Sequence, residues 1–188
     1  YHTGPNGSKA SSYFAIEYGN YIILGLDTAY NATNWYMDGR ITDSFQQGFM
    51  KRYANSGKQI ILLTHHNPID TLGNTTNDLW TDVTSSNGLN GAPFMWYWGH
   101  VHNGIVYNKN AASGPDTLAR CLGNASIPIG VGQWLKNTNI DFFTKTPLND
   151  GTQNNSLRVK NGFATLTITQ SGITENWYDQ SGDLCWTN

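Results

Sequence analysis

Four of the five histidines in this 188-residue chain fall in two short runs. His65 and His66 directly follow Gln59-Ile60-Ile61-Leu62-Leu63-Thr64, and His100 and His102 lie in Gly99-His100-Val101-His102, directly after the apolar run 94–98. Neutral imidazole nitrogen is a donor for Zn, Fe, Ni or Mn, whereas Mg and Ca prefer oxygen. On an extended backbone, residues two apart face the same side, roughly 6.6 to 7 Å apart at their Cα atoms. His100 and His102 can therefore share one ion, or each hold one of two ions about 3.5 to 4 Å apart. Gly99 removes a side chain where the backbone must bend, and Asn67-Pro68 turns the chain away just after His65. His65, His100 and His102 are the candidate metal ligands. A lone histidine at a strand end is commonly just a hydrogen-bonded residue, but two histidine-ended strands in one chain favour metal. His66, the strand neighbour of His65, is expected to point the opposite way and to pack or orient a neighbour. His2, in a terminal loop, is given no role.

The elements that must deliver these side chains follow from hydrophobic periodicity. Residues 13–18 and 21–26 read as strands of a hairpin turning at Gly19-Asn20. Asp27-Thr28 ends the second strand, with Asp27 expected to cap it rather than to bind metal. Asp43 caps a helix, Gln46 completes a capping box, Phe45, Phe49, Met50 and Tyr53 share one face, and Gly57 closes it. The unalternating run 59–64 suits a strand covered on both faces. Residues 70–92 read as a polar loop long enough to line a site. Run 94–98 and residues 105–107 read as strands, and a short helix is expected from Gly114-Pro115-Asp116 to Leu122. Residues 123–130 fit no element, and 136–161 read as polar loops. Strands at 163–169, 173–178 and 184–186 close the chain, separated by turns. The pattern is one domain over 1–188, α/β (α+β), a mixed sheet with antiparallel C-terminal strands. Open α/β sheets bind ligands beyond the carboxyl ends of their strands, where both histidine runs fall.

Composition narrows the function. Only 13% of residues are charged, the formal charge is -2 and the pI is near 6.2, so no basic face is available for nucleic acid or anionic lipid. No apolar run reaches the roughly 18 to 20 residues of a membrane span. Cys121 and Cys185 are too far apart for a zinc knuckle or a redox pair, and can be one disulfide or two unrelated thiols. Asn31, Asn74, Asn124 and Asn154 each begin a glycosylation-type tripeptide, as chance allows in so Asn-rich a chain. Low Lys with many aromatics, Asn and Thr leans toward an extracytoplasmic protein. No Gly-x-Ser-x-Gly, P-loop or dinucleotide fingerprint occurs. Trp35, Tyr36, Trp80, Trp134 and Trp177 suit core packing better than a sugar-stacking surface.

Thr64-His65-His66-Asn67-Pro68 followed by Gly99-His100-Val101-His102 resembles the C-terminal half of the calcineurin-like metallophosphoesterases, the superfamily that includes purple acid phosphatases. Residues 13–28 resemble that family's hairpin ending in Leu-Asp-Thr. The resemblance implies half of a four-layer α/β/β/α sandwich and a dinuclear site of Zn, Fe or Mn. His65 and His100 would hold one ion and His102 the other. Its implied reaction is hydrolysis of a phosphate mono- or diester by metal-bound hydroxide. The family's Asp-x-His, Gly-Asp and Gly-Asn-His-Asp/Glu motifs do not occur in these residues, and with them go the bridging carboxylate and the general acid. The expectation is therefore a partial phosphoesterase domain whose partner is its missing N-terminal half, with an Asn-His pair just before Tyr1. Alone, such a chain would be inactive, hold one ion or none, or form a homodimer through an exposed sheet edge. Two rival readings are a secreted, non-catalytic β-rich module binding glycans, and a mononuclear hydrolase with three His ligands and an open water position.

Overall fold

Among the described residues, ten strands and two helices build two sheets of unequal size. The computed structural model describes residues 11–34, 37–125, 135–147, 158–170 and 172–188. Strands β1 (Phe14–Tyr18) and β2 (Tyr21–Gly25) form the expected hairpin, and β2, β3 (Gln59–Thr64), β4 (Met95–Trp98) and β6 (Leu118–Leu122) run parallel. β5 (Gly104–Tyr107) and β7 (Ile140–Phe143) add antiparallel, giving the order β1-β2-β3-β4-β6-β5-β7. β8 (Gly162–Thr169), β9 (Gly172–Asp179) and β10 (Leu184–Thr187) form a separate antiparallel sheet in the order β10-β9-β8. The fold is α+β, with a mixed main sheet and antiparallel C-terminal strands.

The parallel strands are apolar without alternation because both their faces are covered. Leu62, Trp96 and Trp98 point into a core with Phe49 and Met50 of α1 (Ser44–Ala54) and Leu79 and Val83 of α2 (Asp78–Thr84). Their strand neighbours Ile61, Met95 and Tyr97 point the other way, onto Trp177, Leu166, Ile168 and Trp186 of the small sheet. Helices on one face and a sheet on the other thus fix β3 and β4, the two strands that lead into the histidines.

Several local expectations change on packing. Asp43 does cap α1, its Oδ1 accepting from Gln46 N at 2.8 Å. Phe45, however, is exposed while Gln46 is buried. The Gln46 side chain accepts from Asp27 N at 2.8 Å and donates to Asp27 O at 2.9 Å, so an amide joins helix to hairpin where an apolar contact was expected. The stretch 70–92 contains α2, whose inward face is only Leu79 and Val83 and is too short to show a period. The helix expected up to Leu122 is instead the strand β6, inserted between β4 and β5, where tertiary pairing outweighs a locally helix-favouring sequence. β7 likewise forms within the region read as loop.

Cys121 and Cys185 are free thiols, and burial pushes the Cys121 thiol up to about 12. Asn124 is buried, Asn31 half-buried and Asn74 exposed, while Asn154 lies outside the described residues. Trp177 is buried, and Trp80 stacks on Trp96 with ring centroids 5.7 Å apart. Both are core aromatics; Trp35, Tyr36 and Trp134 lie outside the described residues. No helix among the described residues is long and apolar enough to cross a membrane.

Candidate metal centre

β3 and β4 are parallel neighbours in register, Thr64 beside Trp98, so the residues following them emerge side by side at the carboxyl edge. Gly99 N donates to His65 O at 3.0 Å, extending the pairing one step beyond both strands. This places His65 against His100, with His65 Nε2 and His100 Nδ1 3.1 Å apart and ring centroids separated by 5.1 Å. Chain segments 35 residues apart in sequence thus meet through their rings.

The histidine loop is tightly wound. Val101 N donates to Gly99 O at 2.6 Å and Asn103 N to Val101 O at 2.7 Å, making His100 and His102 the central residues of consecutive three-residue turns. His100 has φ 53°, a left-handed conformation uncommon for a non-glycine residue. Beneath the loop the Cys121 thiol donates to Val101 O and Asn103 O, both at 3.3 Å. A Cβ at Gly123, the residue after β6, would strike the Val101 carbonyl, so the end of β6 and the residue beyond it support the loop closely from below. The strain at His100 is held by this packing, as strained residues at sites usually are.

His66 departs from its expected orientation. β3 ends at Thr64, strand alternation ends with it, and His66 turns into the cluster, its ring centroid 4.8 Å from that of His65 and 4.7 Å from that of His100. It is buried. Thr28 Oγ1 lies 2.8 Å from His66 Nδ1 and accepts from His66 N at 3.2 Å. Thr64 Oγ1 donates to His66 O at 2.8 Å and itself accepts from Trp96 Nε1 at 2.9 Å. A Cβ at Gly39 would overlap the Cβ and Cγ of His66, so only glycine leaves room for that ring.

Among the described residues, the ligand atoms lying within 4.8 Å of one another belong to His65, His66 and His100. His102 is outside that trio but near enough to influence it electrostatically, and its Nδ1 is buried with no hydrogen-bond partner. Burial holds the pKa of both His65 and His100 below the ordinary histidine value, and the neighbouring imidazoles lower it further. Asp38 opposes this at His100. Both rings are thus biased toward the neutral form that binds metal. Asp27 is a cap as expected, its Oδ1 accepting from Ala29 N at 3.0 Å and Tyr30 N at 3.1 Å.

The trio of imidazoles His65, His66 and His100 fits one borderline ion such as Zn. Two adjacent dications do not fit these three ligands by themselves, because among the described residues no carboxylate joins the trio to offset their repulsion. Sequence reasoning located the histidines but missed Thr28, Gly39, Asp38 and Cys121 as their surroundings. The Leu-Asp-Thr ending pointed toward Thr28; the other three carry no local signal.

No protein-family model and no curated protein matches the sequence. Two solved structures resemble it. GAP50, the anchor in the inner membrane complex of Plasmodium, matches 94% of this chain and 52% of its own at a TM-score of 0.51 and 12% identity. The purple acid phosphatase PPD1 from yellow lupin (Lupinus luteus) seeds matches 93% of this chain and 32% of its own at 0.48 and 14%. The chain spans about half the length of the first and a third of the second, and at 12% identity the likeness to GAP50 is one of fold.

Proposed function

We propose that this chain provides the histidine side of a metal centre in a phosphoric-ester hydrolase of the calcineurin-like kind. The single observation that carries the reading is the convergence of imidazoles beyond the carboxyl ends of two adjacent parallel strands. The sequence motifs Thr64-His65-His66-Asn67-Pro68 and Gly99-His100-Val101-His102 support the reaction class. In this reading His65 and His100 would hold one ion, and His102, whose Nδ1 has no hydrogen-bond partner, would serve a second only where carboxylates offset the added charge. When bound, such ions lower the pKa of water and neutralise charge on phosphoryl oxygens. The chain's own residues orient the ligands: Cys121 and Gly123 fix the loop from below, and Thr28, Thr64 and Gly39 fix His66. Among the described residues no carboxylate joins the histidines, and without one the chain binds metal without turnover.

The test is metal content and titration calorimetry with Zn, Fe(II) and Mn, alongside assays on p-nitrophenyl phosphate and its bis-ester. One equivalent of metal without hydrolysis is expected. A chain that takes up none of the three metals would sink the proposal, and rapid hydrolysis by the chain alone would replace it with the mononuclear hydrolase.

A further inference from the structure

The loop that leaves β2 comes back to its own start. Arg40 N donates to Thr28 O at 3.2 Å, and Thr33 N donates to Asp38 O at 2.8 Å. Both ends of this loop meet the histidines. Thr28 Oγ1 lies 2.8 Å from His66 Nδ1, and Gly39 packs its backbone on the same ring. Asp38 is exposed and near enough to His100 for its charge to act there. Arg40, the next residue, reaches α2 instead. Its Nε and Nη2 donate to the two oxygens of Asp82 at 2.8 and 3.1 Å, and its Nη1 donates to Asp78 Oδ2 at 3.0 Å. Ile41 N also donates to Asp82 Oδ2, at 3.0 Å.

The two acids on α2 are unequal. The Asp78 side chain is 77% exposed and offers Arg40 a single contact, which contributes little in water. The Asp82 side chain is 13% exposed and receives both arms of a guanidinium fork as well as a backbone N–H. Such a fork fixes orientation as well as distance. Asp82 is also on firm ground, because the adjacent Val83 is fully buried in the core. The same helix stacks Trp80 on Trp96, whose Nε1 donates to Thr64 Oγ1, which in turn donates to His66 O. α2 therefore reaches His66 from two sides, at its backbone through Trp96 and Thr64, and at its ring through Asp82, Arg40 and the loop.

We infer that Asp82 is a positioning residue of the metal centre: through Arg40 and Ile41 it fixes the loop so that Thr28 and Gly39 hold the His66 ring and Asp38 keeps its charge beside His100. This role rests on the metal reading proposed above. An imidazole gripped by an outer partner meets an ion in a set orientation, and loss of such partners weakens metal binding about 10- to 100-fold. Asp82 acts one contact further out, on the loop that carries the partner, so its removal belongs at the lower end of that range.

The experiment is zinc titration against a chromophoric chelator on variants that keep the parent's near-UV circular dichroism, with imidazole proton–nitrogen spectra of the metal-free chains. Asp82→Ala is expected to weaken zinc about tenfold and to move the His66 ring signals before any metal is added. Asp78→Ala, which removes the exposed contact of Arg40, is expected to do neither. Asp82→Asn still offers an oxygen to Ile41 N and should fall between the two. Should Asp82→Ala fail to fold, Asp82→Asn and Arg40→Gln carry the test, both with weaker zinc binding than the parent. A lower urea midpoint with parent-like zinc affinity and ring signals would show that Asp82 only braces the fold, and would overturn the assignment. Equal losses for Asp78→Ala and Asp82→Ala would overturn it too, by tracing the effect to acidic charge on α2 and not to the anchor. Zinc uptake by the parent with unchanged affinity in Asp82→Ala removes the positioning role and leaves the metal reading standing, whereas a parent that takes up no zinc ends both.

Discussion

Two polar clusters touch the same main sheet and are completed to different degrees. Between the sheets, Arg120 Nε donates to Glu175 Oε2 at 2.9 Å, Trp177 Nε1 donates to Oε1 at 2.8 Å, and the Tyr97 hydroxyl donates to the same oxygen. Arg120 also donates to Ala119 O at 3.0 Å and lies over the Trp186 ring, 5.3 Å from its centroid. Each charge there is matched, and burial followed by the Glu175 charge holds the Tyr97 phenol well above its ordinary pKa, as a donor. At the carboxyl edge of the same strands four imidazoles gather with no carboxylate in the trio, one partnerless nitrogen and a strained backbone at His100. The first cluster is closed by the fold alone. The second has donors in excess, which is what a site that takes a cation requires.

If that contrast is right, damage to the two clusters should register in different measurements. The largest effect on stability belongs to Glu175→Ala, which strands the buried Arg120 charge and removes the acceptor of Tyr97 and Trp177. A loss of about 3 to 5 kcal/mol is expected in urea unfolding, the usual cost of breaking a buried pair from one side. Arg120→Met with Glu175→Leu should cost less than the single change, since both charges leave together. A double variant no better than Glu175→Ala alone would show that the pair is not the reason for the loss.

At the histidines the expected loss is in metal. His65→Ala or His100→Ala should weaken zinc binding by about two orders of magnitude, one ligand's share of the roughly 10 to 16 kcal/mol of a structural zinc site. Unfolding should change little, because both side chains are partly exposed. Equal losses of stability at the two clusters would erase the distinction between them. Gly39→Ala is a finer probe, as the atoms nearest its methyl are Cβ, Cγ and Nδ1 of His66. A destabilisation of about 1 to 3 kcal/mol is expected from overpacking. Zinc affinity should fall with it if His66 helps to set the trio, and stay constant if His66 only packs.

The same contrast explains what could be seen in the sequence. β3 and β4 were legible because burial on both faces makes them continuously apolar, and the C-terminal hairpin because its apolar residues alternate. β6 and β7 were not, because Leu118-Ala119-Arg120-Cys121-Leu122 and Ile140-Asp141-Phe142-Phe143 become strands through partners distant in sequence. The side of His66 was misjudged because alternation was carried past the last residue of β3. The Arg120–Glu175 pair, 55 residues apart, leaves no local trace at all. Spacing reveals chemistry that one strand end delivers and hides chemistry that two distant segments share.

The smallest expected effect is in pH. His65 and His100 are held below their ordinary pKa chiefly by burial, so at intermediate pH the unfolded chain binds more protons than the folded one. Their contribution to stability is complete above the unfolded value of about 6.5 and is lost as pH falls through the lower folded values. Asp179, whose carboxyl is lowered mainly by its hydrogen bond from Lys160, follows the same sign at lower pH. Its contribution is present above the ordinary carboxylate value of about 3.9 and lost below it, leaving the interval from pH 7 to 5 to the histidines. The urea midpoint of the metal-free chain should therefore decline modestly over that interval and decline less in the variant His65→Ala with His100→Ala. An identical slope in the two proteins would mean that the rings at positions 65 and 100 carry no excess electrostatic cost. The carboxyl edge would then be as settled as the Arg120–Glu175 cluster between the sheets.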